Sequence, residues 1–337
     1  MDYKIDRRGF LKGTTSVVAA GAVTWPLAAY AGTTLDFSEV LPEENWQTVA
    51  IKAFAEDLAE ASGGEVTLNI HSGGALGFKG PEHLRVVESG VVPMADVLLA
   101  QAAGDEPIFK LENLPFLVES PEDLKTLHKY LWPEIEKVAA KHNQKFLTTM
   151  PSPQNCIYMK IKTDNLDDFH NVKVRGADKT SVETFNAIGM AGVQIPWGEL
   201  IPALATGRVD GVGTSPTSAV DGKFWEFLQY VYVTNHIWAT NVISINLDAW
   251  NGLSKEAQDA MLATAEKHEP LFWAASKKLG DEALARLEAE GMEIVPVSPS
   301  MFAEMQKRTS SSIDTYVEQV PEVKPILEQY LEAVGRS

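Results

Sequence analysis

The sequence predicts an α/β protein built as two lobes. Residues 172–215 alternate strand and helix signals over short intervals, which implies strands joined by helical crossovers into a parallel sheet. A second run of the same plan occupies residues 34–99. The length of 337 residues suits two domains rather than one. In sheets of this kind, ligands bind outside the carboxyl ends of the strands.

The elements follow in order. Arg7-Arg8-Gly9-Phe10-Leu11-Lys12 matches the twin-arginine export pattern R-R-x-F-L-K. An uncharged run from Gly13 to Tyr30 follows, and Ala29-Tyr30-Ala31 supplies a small-x-small cleavage site. Residues 1–31 therefore read as a signal peptide cleaved near Ala31, with the mature protein in the periplasm. A membrane anchor fits less well, because Thr14, Thr15, Ser16, Gly21 and Pro26 interrupt the run. Thr34 to Glu39 reads as a strand. The helix after Pro42 turns Trp46, Ala50, Phe54 and Leu58 to one face and stops at Gly63-Gly64. Val66, Leu68 and Ile70 alternate as a second strand. Pro81 opens a helix that Gly90 closes, and Ala95 to Leu99 is a third strand. Leu124 to His142 is helical, Lys145 to Thr148 extended, and Pro151-Ser152-Pro153-Gln154 breaks the pattern before Cys156 to Met159 resumes it.

In the second run, Val172 and Val174 have strand spacing, and Arg175 stands last before Gly176. Thr180 and Glu183 form a T-x-x-E capping box for a helix ending at Gly189. Val193 to Ile195, Glu199 to Thr206 and Val209 to Val212 read as strand, helix and strand, followed by Gly213, Thr214 and Ser215. Phe224 to Tyr232 reads as a buried helix turning into a strand. Ser254 caps a long helical region to Glu290, which Pro270 should kink and Gly280 interrupt. Met292 to Val297 is a returning strand, and Met301 to Val334 is helical with a break at Pro321.

The formal net charge of −17 argues against nucleic acid and anionic membranes as partners. It also means that an anionic ligand has to be held by local positive charge. The single cysteine, Cys156, excludes an internal disulfide, a cysteine-based zinc site and an ordinary iron–sulfur cluster. The seven histidines are scattered, so neither metal nor cofactor is expected. No G-x-S-x-G, H-E-x-x-H or P-loop occurs; Ser72-Gly73-Gly74-Ala75-Leu76-Gly77 lacks the Lys-Ser/Thr of a P-loop. This lowers the case for an enzyme.

A lone arginine after a strand is most simply a surface residue paired with an acid. The surroundings of Arg175 point elsewhere. Lys173-Val174-Arg175 is followed by Pro196-Trp197-Gly198-Glu199, Ala203-Leu204-Ala205-Thr206-Gly207 and Val209-Asp210-Gly211. The first lobe carries Gly74-Ala75-Leu76-Gly77, a strand near Asp96, and Pro107-Ile108-Phe109-Lys110-Leu111-Glu112-Asn113-Leu114-Pro115-Phe116. In this order the motifs resemble the solute-binding proteins of TRAP transporters, the periplasmic receptors for organic acids, over nearly all of the mature chain.

The resemblance implies the two-lobed periplasmic binding protein fold, with crossing strands and a long bracing helix. Lobe I would comprise residues 32–153 and 240–280, and lobe II residues 154–239 and 281–337, with the ligand cleft between them. It implies that Arg175 grips a ligand carboxylate. Thr214 stands where the family has a ligand-contacting asparagine, and Ser215 adjoins it. Gln154 stands at the place of a second ligand arginine in many relatives, though an ordinary loop glutamine is an equal reading. Glu39 and Gln101 lie at strand ends where relatives touch the ligand; Glu39 favours an amino- or hydroxy-acid over a dicarboxylate. Trp197 and Trp238 complete the candidates, core packing being the simpler reading of Trp238. The partners implied are a small organic acid and the membrane permease subunits, with the receptor a monomer. A periplasmic enzyme acting on a small organic acid and a ligand-presenting subunit of a membrane sensor are the alternatives.

Overall fold

The computed structural model describes residues 32–336. The twin-arginine segment and the cleavage site at Ala31 lie outside the described residues. The chain opens with β1 (Thr33–Ser38), α1 (Trp46–Ala61), β2 (Val66–His71), α2 (His83–Glu88), β3 (Met94–Leu98), α3 (Pro121–Lys141) and β4 (Gln144–Pro151). Next come β5 (Cys156–Met159), β6 (Lys173–Gly176), α4 (Lys179–Ala187), β7 (Ala191–Gln194), α5 (Trp197–Ala205), β8 (Gly211–Thr214), α6 (Pro216–Asp221) and β9 (Tyr230–Tyr232). The chain then returns through β10 (Thr240–Asn246), α7 (Leu247–Asn251), α8 (Lys255–Ala289), β11 (Glu293–Val295), α9 (Pro299–Thr309), α10 (Ser311–Gln319) and α11 (Lys324–Ala333).

Two sheets result. The first runs β2-β1-β3-β10-β4, with β10 antiparallel to both its neighbours. The second runs β11-β9-β5-β8-β6-β7, with β6 parallel to β7 and β8. The chain crosses between the sheets from β4 to β5, from β9 to β10 and, through α8, from β10 to β11. Period-two burial and apolar helix faces explain the cores. Trp46, Ala50, Phe54 and Leu58 of α1 pack with Leu35 and Phe37 of β1 in one cluster. Ile195, Leu200, Leu204 and Val212 pack together in the second lobe.

Helix starts follow local chemistry. Asn45 caps α1 by accepting from the Gln47 amide at 2.8 Å, and Ser120 caps α3 through the Asp123 amide at 3.0 Å. For α4 the cap is Asp178, which accepts from the Ser181 amide at 2.9 Å and the Ser181 hydroxyl at 2.7 Å, not Thr180 as the T-x-x-E pattern predicts. Thr180 lies inside the first turn, and Glu183 faces out to pair with Lys110. An aspartate two residues earlier reaches the free amides of the first turn.

α8 is one unbroken helix of 35 residues, contrary to the kink and interruption expected at Pro270 and Gly280. Pro270 lies on the exposed face, as does Glu266 one turn before it, so the carbonyl that loses its partner can be hydrated. At about 1.5 Å per residue the helix is roughly 50 Å long, and it packs Met261 and Phe272 into the first lobe and Leu287 into the second. Gly280 serves close approach: a Cβ there would lie 2.8 Å from Pro153 Cβ and 3.1 Å from Gln154 Oε1. Gly280→Ala should therefore destabilise the protein by about 1–3 kcal/mol in urea unfolding, where an unhindered helical glycine would gain about 1 kcal/mol from alanine.

Two further expectations change. Residues 224–232 form only a short 3-10 turn, Phe224–Glu226, before β9. The C-terminal segment, expected wholly in lobe II, divides: Met301 and Met305 of α9 pack in the second lobe, whereas Tyr316, Val320, Ile326, Leu327 and Tyr330 pack back onto the first. Among the described residues, no helix is long and apolar enough to cross a membrane.

Candidate functional site

The carboxyl ends of β6 and β8 open into a cavity of ≈ 100 Å³ between the lobes. Arg175 is its cationic group. It pairs across the sheet with Val193 and Val212 and is 2% exposed. Its Nε donates to Ile195 O at 2.9 Å, which fixes the plane of the guanidinium. Among the described residues, neither terminal nitrogen of Arg175 makes a hydrogen bond or an ion pair with an acid. Burial draws the guanidinium down to about 10, and nearby Asp178 opposes that shift, so it stays charged at neutral pH. Burial also raises the Asp178 carboxyl, while its bonds to Ser181 hold it down.

The first lobe supplies the facing wall. Asp96 of β3 accepts from Asn241 Nδ2 at 2.7 Å. Gln101 enters from the 3-10 turn after β3 and donates to Ala177 O across the cleft at 3.1 Å. Gly80 leaves room for that side chain, since a Cβ there would stand 2.1 Å from Gln101 Oε1. Among the described residues, three buried polar atoms on this wall have no hydrogen-bond partner: Asp96 Oδ1, Asn113 Oδ1 and Gln47 Nε2. The wall thus offers acceptors and amide donors, and the opposite wall one positive charge.

Contacts across the cleft mouth hold the lobes together. Lys79 Nζ lies 2.6 Å from Glu199 Oε1, Lys110 Nζ 2.5 Å from Glu183 Oε2, and Asn45 Nδ2 2.6 Å from Asp221 Oδ2. The two lysine pairs are exposed and screened by solvent, so each contributes little. Burial pushes the Asp221 carboxyl up to about 6.

Of the residues singled out from the sequence, Arg175, Thr214, Ser215, Gln101 and Trp197 line the cavity. Ser215 also caps α6 by accepting from the Ser218 amide at 3.3 Å. Gln154 turns instead toward Gly280 of α8, and its neighbour Asn155 lines the cavity. Glu39 is fully buried behind the cavity wall, where its Oε1 accepts from the Leu41 amide at 2.8 Å. Trp238 packs in the first-lobe core. Alternation in an extended chain separates these residues. Along the return crossing, Ile237, Ala239 and Asn241 face the cavity, whereas His236, Trp238 and Thr240 face the protein. That period was readable in the sequence and would have pointed to Asn241. Asn113 and Gln47 carry no such signal, because they belong to a 3-10 turn and the first turn of a helix. Among the described residues, no group of three or more His, Cys, Asp or Glu is placed to hold a metal ion.

Two α/β lobes, two crossing strands, a bracing helix and a polar cavity at the strand ends define a solute-binding protein that encloses a small ligand. Residues 37–319 match the family of bacterial extracellular solute-binding proteins, family 7 (DctP), and the chain belongs to that family. The sequence resemblance to TRAP solute-binding proteins is thereby confirmed. A marine metagenome TRAP solute binding protein specific for pyroglutamate is 27% identical, covering 89% of this chain and 99% of that one at a TM-score of 0.85. DctP7 of Bordetella pertussis, an extracytoplasmic solute receptor binding pyroglutamic acid, is 24% identical with the same coverages and a TM-score of 0.86. Among curated relatives, the uncharacterized protein y4mM of Sinorhizobium fredii is 27% identical over 331 residues, 94% of this chain; the chain spans 58% of that relative's length.

Proposed function

We propose that the protein is the periplasmic receptor of a TRAP transporter, that it encloses a small monocarboxylate on Arg175, and that it delivers the ligand to the membrane permease. The observation that carries this reading is Arg175: a buried guanidinium, fixed through Nε, with its terminal nitrogens left to the interlobe cavity. A buried charge needs a partner, and the fork of an arginine matches a carboxylate in geometry as well as charge. The protein's net charge of −17 makes this local cation the means of holding an anion. Size supports a small ligand: ≈ 100 Å³ of free space compares with about 10–15 Å³ for one enclosed water. Pyroglutamate, a small ring with one carboxylate, is the first candidate, since the metagenome relative at 27% identity is specific for pyroglutamate; L-pyroglutamate is the probe.

A thermal-shift panel of L-pyroglutamate, D-glucuronate and succinate tests the reading. A binder present at 100 times its Kd should stabilise the folded protein by about 2.7 kcal/mol, and L-pyroglutamate should give the largest rise. The same ligand should compact the molecule in solution scattering, because contacts made only when the lobes meet select the closed state. If no small carboxylate raises the midpoint, the receptor reading fails.

A further inference from the structure

Ser38 of β1 and Ala95 of β3 are register partners in parallel strands, so the Glu39 and Asp96 side chains that follow them lie side by side behind the cavity wall, and both are buried. Among the described residues, Glu39 Oε2 and Asp96 Oδ1 have no hydrogen-bond donor. Two carboxyls side by side in the interior with no cation against them do not both ionise, so the pair at neutral pH is read as holding one proton and one negative charge. Among the described residues, the hydrogen bonds to these two carboxyls come from neutral donors: the Leu41 amide to Glu39 and Asn241 Nδ2 to Asp96. Among the described residues, no lysine, arginine or histidine side chain bonds to either carboxyl.

The titratable groups around the pair are few. His83 of α2 donates from Nδ1 to Asp96 O at 2.5 Å and meets Ser38 Oγ at 3.1 Å, and burial lowers its pKa, so it is neutral. His71 of β2 is engaged with Asp36 at 2.7 Å. Arg175 and Asp178 face Asp96 from across the cavity. Asp96 lines the cavity and Glu39 does not. Beside Asp96, Asn113 Oδ1 is a second buried acceptor without a partner.

We infer that Glu39, sealed from the ligand, sets ligand class through Asp96: their shared proton leaves the wall with a single negative acceptor, which selects a monocarboxylate bearing an N–H or O–H donor and rejects a second carboxylate. This rests on the receptor reading, in which Arg175 holds the carboxylate at the opposite wall. Loss of the shared proton would place two adjacent charges beside an anionic ligand. Affinity should therefore fall as pH rises. Burial raises both carboxyls above their ordinary range, and the Asp96 charge raises Glu39 further. Between pH 7 and 9 Arg175 stays charged and His83 stays neutral; the Asp178 carboxyl, which burial also raises, faces the same cavity, so the variants at Glu39 and Asp96 are what assign an alkaline change to the pair.

The test is calorimetry with L-pyroglutamate and its lactone counterpart, 5-oxotetrahydrofuran-2-carboxylate, in which oxygen replaces the ring N–H. The parent protein should bind the lactone about 10- to 100-fold more weakly, the usual consequence of losing a donor to a charged acceptor. Its affinity for L-pyroglutamate should fall between pH 7 and 9, by up to about tenfold per unit for one proton lost. In Glu39→Gln the amide N–H replaces the shared proton, so the alkaline fall should shrink to less than about threefold over that range, by the same linkage. Asp96→Asn should abolish the fall as well and narrow the gap between lactam and lactone. A residue of merely structural importance would lower affinity without changing the pH profile. Identical profiles for the parent and both variants, or equal binding of lactam and lactone, overturn the inference. So does a best-binding acid, found by the panel in place of L-pyroglutamate, that has no donor besides its carboxylate. Arg175→Ala is the separate control: undiminished binding there removes the receptor reading itself.

Discussion

Arg175→Ala should reduce ligand affinity by about 30-fold to several thousand-fold, the equivalent of the roughly 2–5 kcal/mol lost when one partner of a buried, hydrogen-bonded charge pair is removed. A micromolar ligand would then escape detection by calorimetry. The fold should survive, because among the described residues the Arg175 side chain makes one hydrogen bond to the protein, Nε to Ile195 O. Removing a desolvated charge that lacks a hydrogen-bonded acid can even stabilise the unliganded protein. Arg175→Lys should retain charge and lose the two-bond fork, giving an intermediate affinity. Circular dichroism separates lost binding from lost structure. Binding by a folded Arg175→Ala variant as tight as that of the parent would make the arginine a structural residue.

The second large effect concerns the hinge. Glu112 is 1% exposed. Its Oε1 accepts from the Thr240 amide at 2.7 Å, and its Oε2 from Thr240 Oγ1 at 3.0 Å and His128 Nε2 at 2.7 Å. Next to it, Asn113 Nδ2 donates to Trp238 O at 2.9 Å, and the Phe116 amide donates to His236 O at 2.9 Å. Residues 112–116 thus clamp the outer edge of the crossing whose other face lines the cavity. Glu112→Ala leaves the Thr240 amide without an acceptor in the interior and removes the carboxylate partner of His128 Nε2, at a cost of about 1–3 kcal/mol for each buried group left unsatisfied. Glu112→Gln keeps an acceptor for the Thr240 amide and should cost less, about 1–2 kcal/mol. Urea unfolding of the two variants measures both. Equal and small losses would show that the clamp contributes little.

Local pattern made much of the architecture legible. Val172, Val174 and Arg175 alternate as strands do, and the four apolar residues of α1 share a face, so both lobes could be placed from sequence. Arg175 at the end of a strand was legible for the same reason. The errors occur where a residue's neighbours are distant in the chain. Gln154 and Asn155 are neighbouring side-chain amides with the same donors and acceptors; Gln154 lies against Gly280, a residue distant in sequence. Tyr316 and Tyr330 return to lobe I because their hydroxyls reach Pro107 O and Leu117 O, both at 2.9 Å. Nothing within α10 or α11 announces that destination. Glu39 was noticed as an acid near a carboxylate site, but its proton-sharing neighbour lies on another strand, so its role could not be read from its own surroundings. Cap chemistry failed differently: Asp178 and Thr180 are both good caps, and the tertiary position of β6 chose between them.

The most direct measurement is a crystal structure of the protein with L-pyroglutamate, or with the strongest binder from the panel. The account predicts the ligand between the lobes, with its carboxylate oxygens about 2.7–2.9 Å from both terminal nitrogens of Arg175 and its N–H or O–H directed at Asp96. A ligand carboxylate bound elsewhere, with Arg175 turned onto a protein acid such as Asp178, would contradict it.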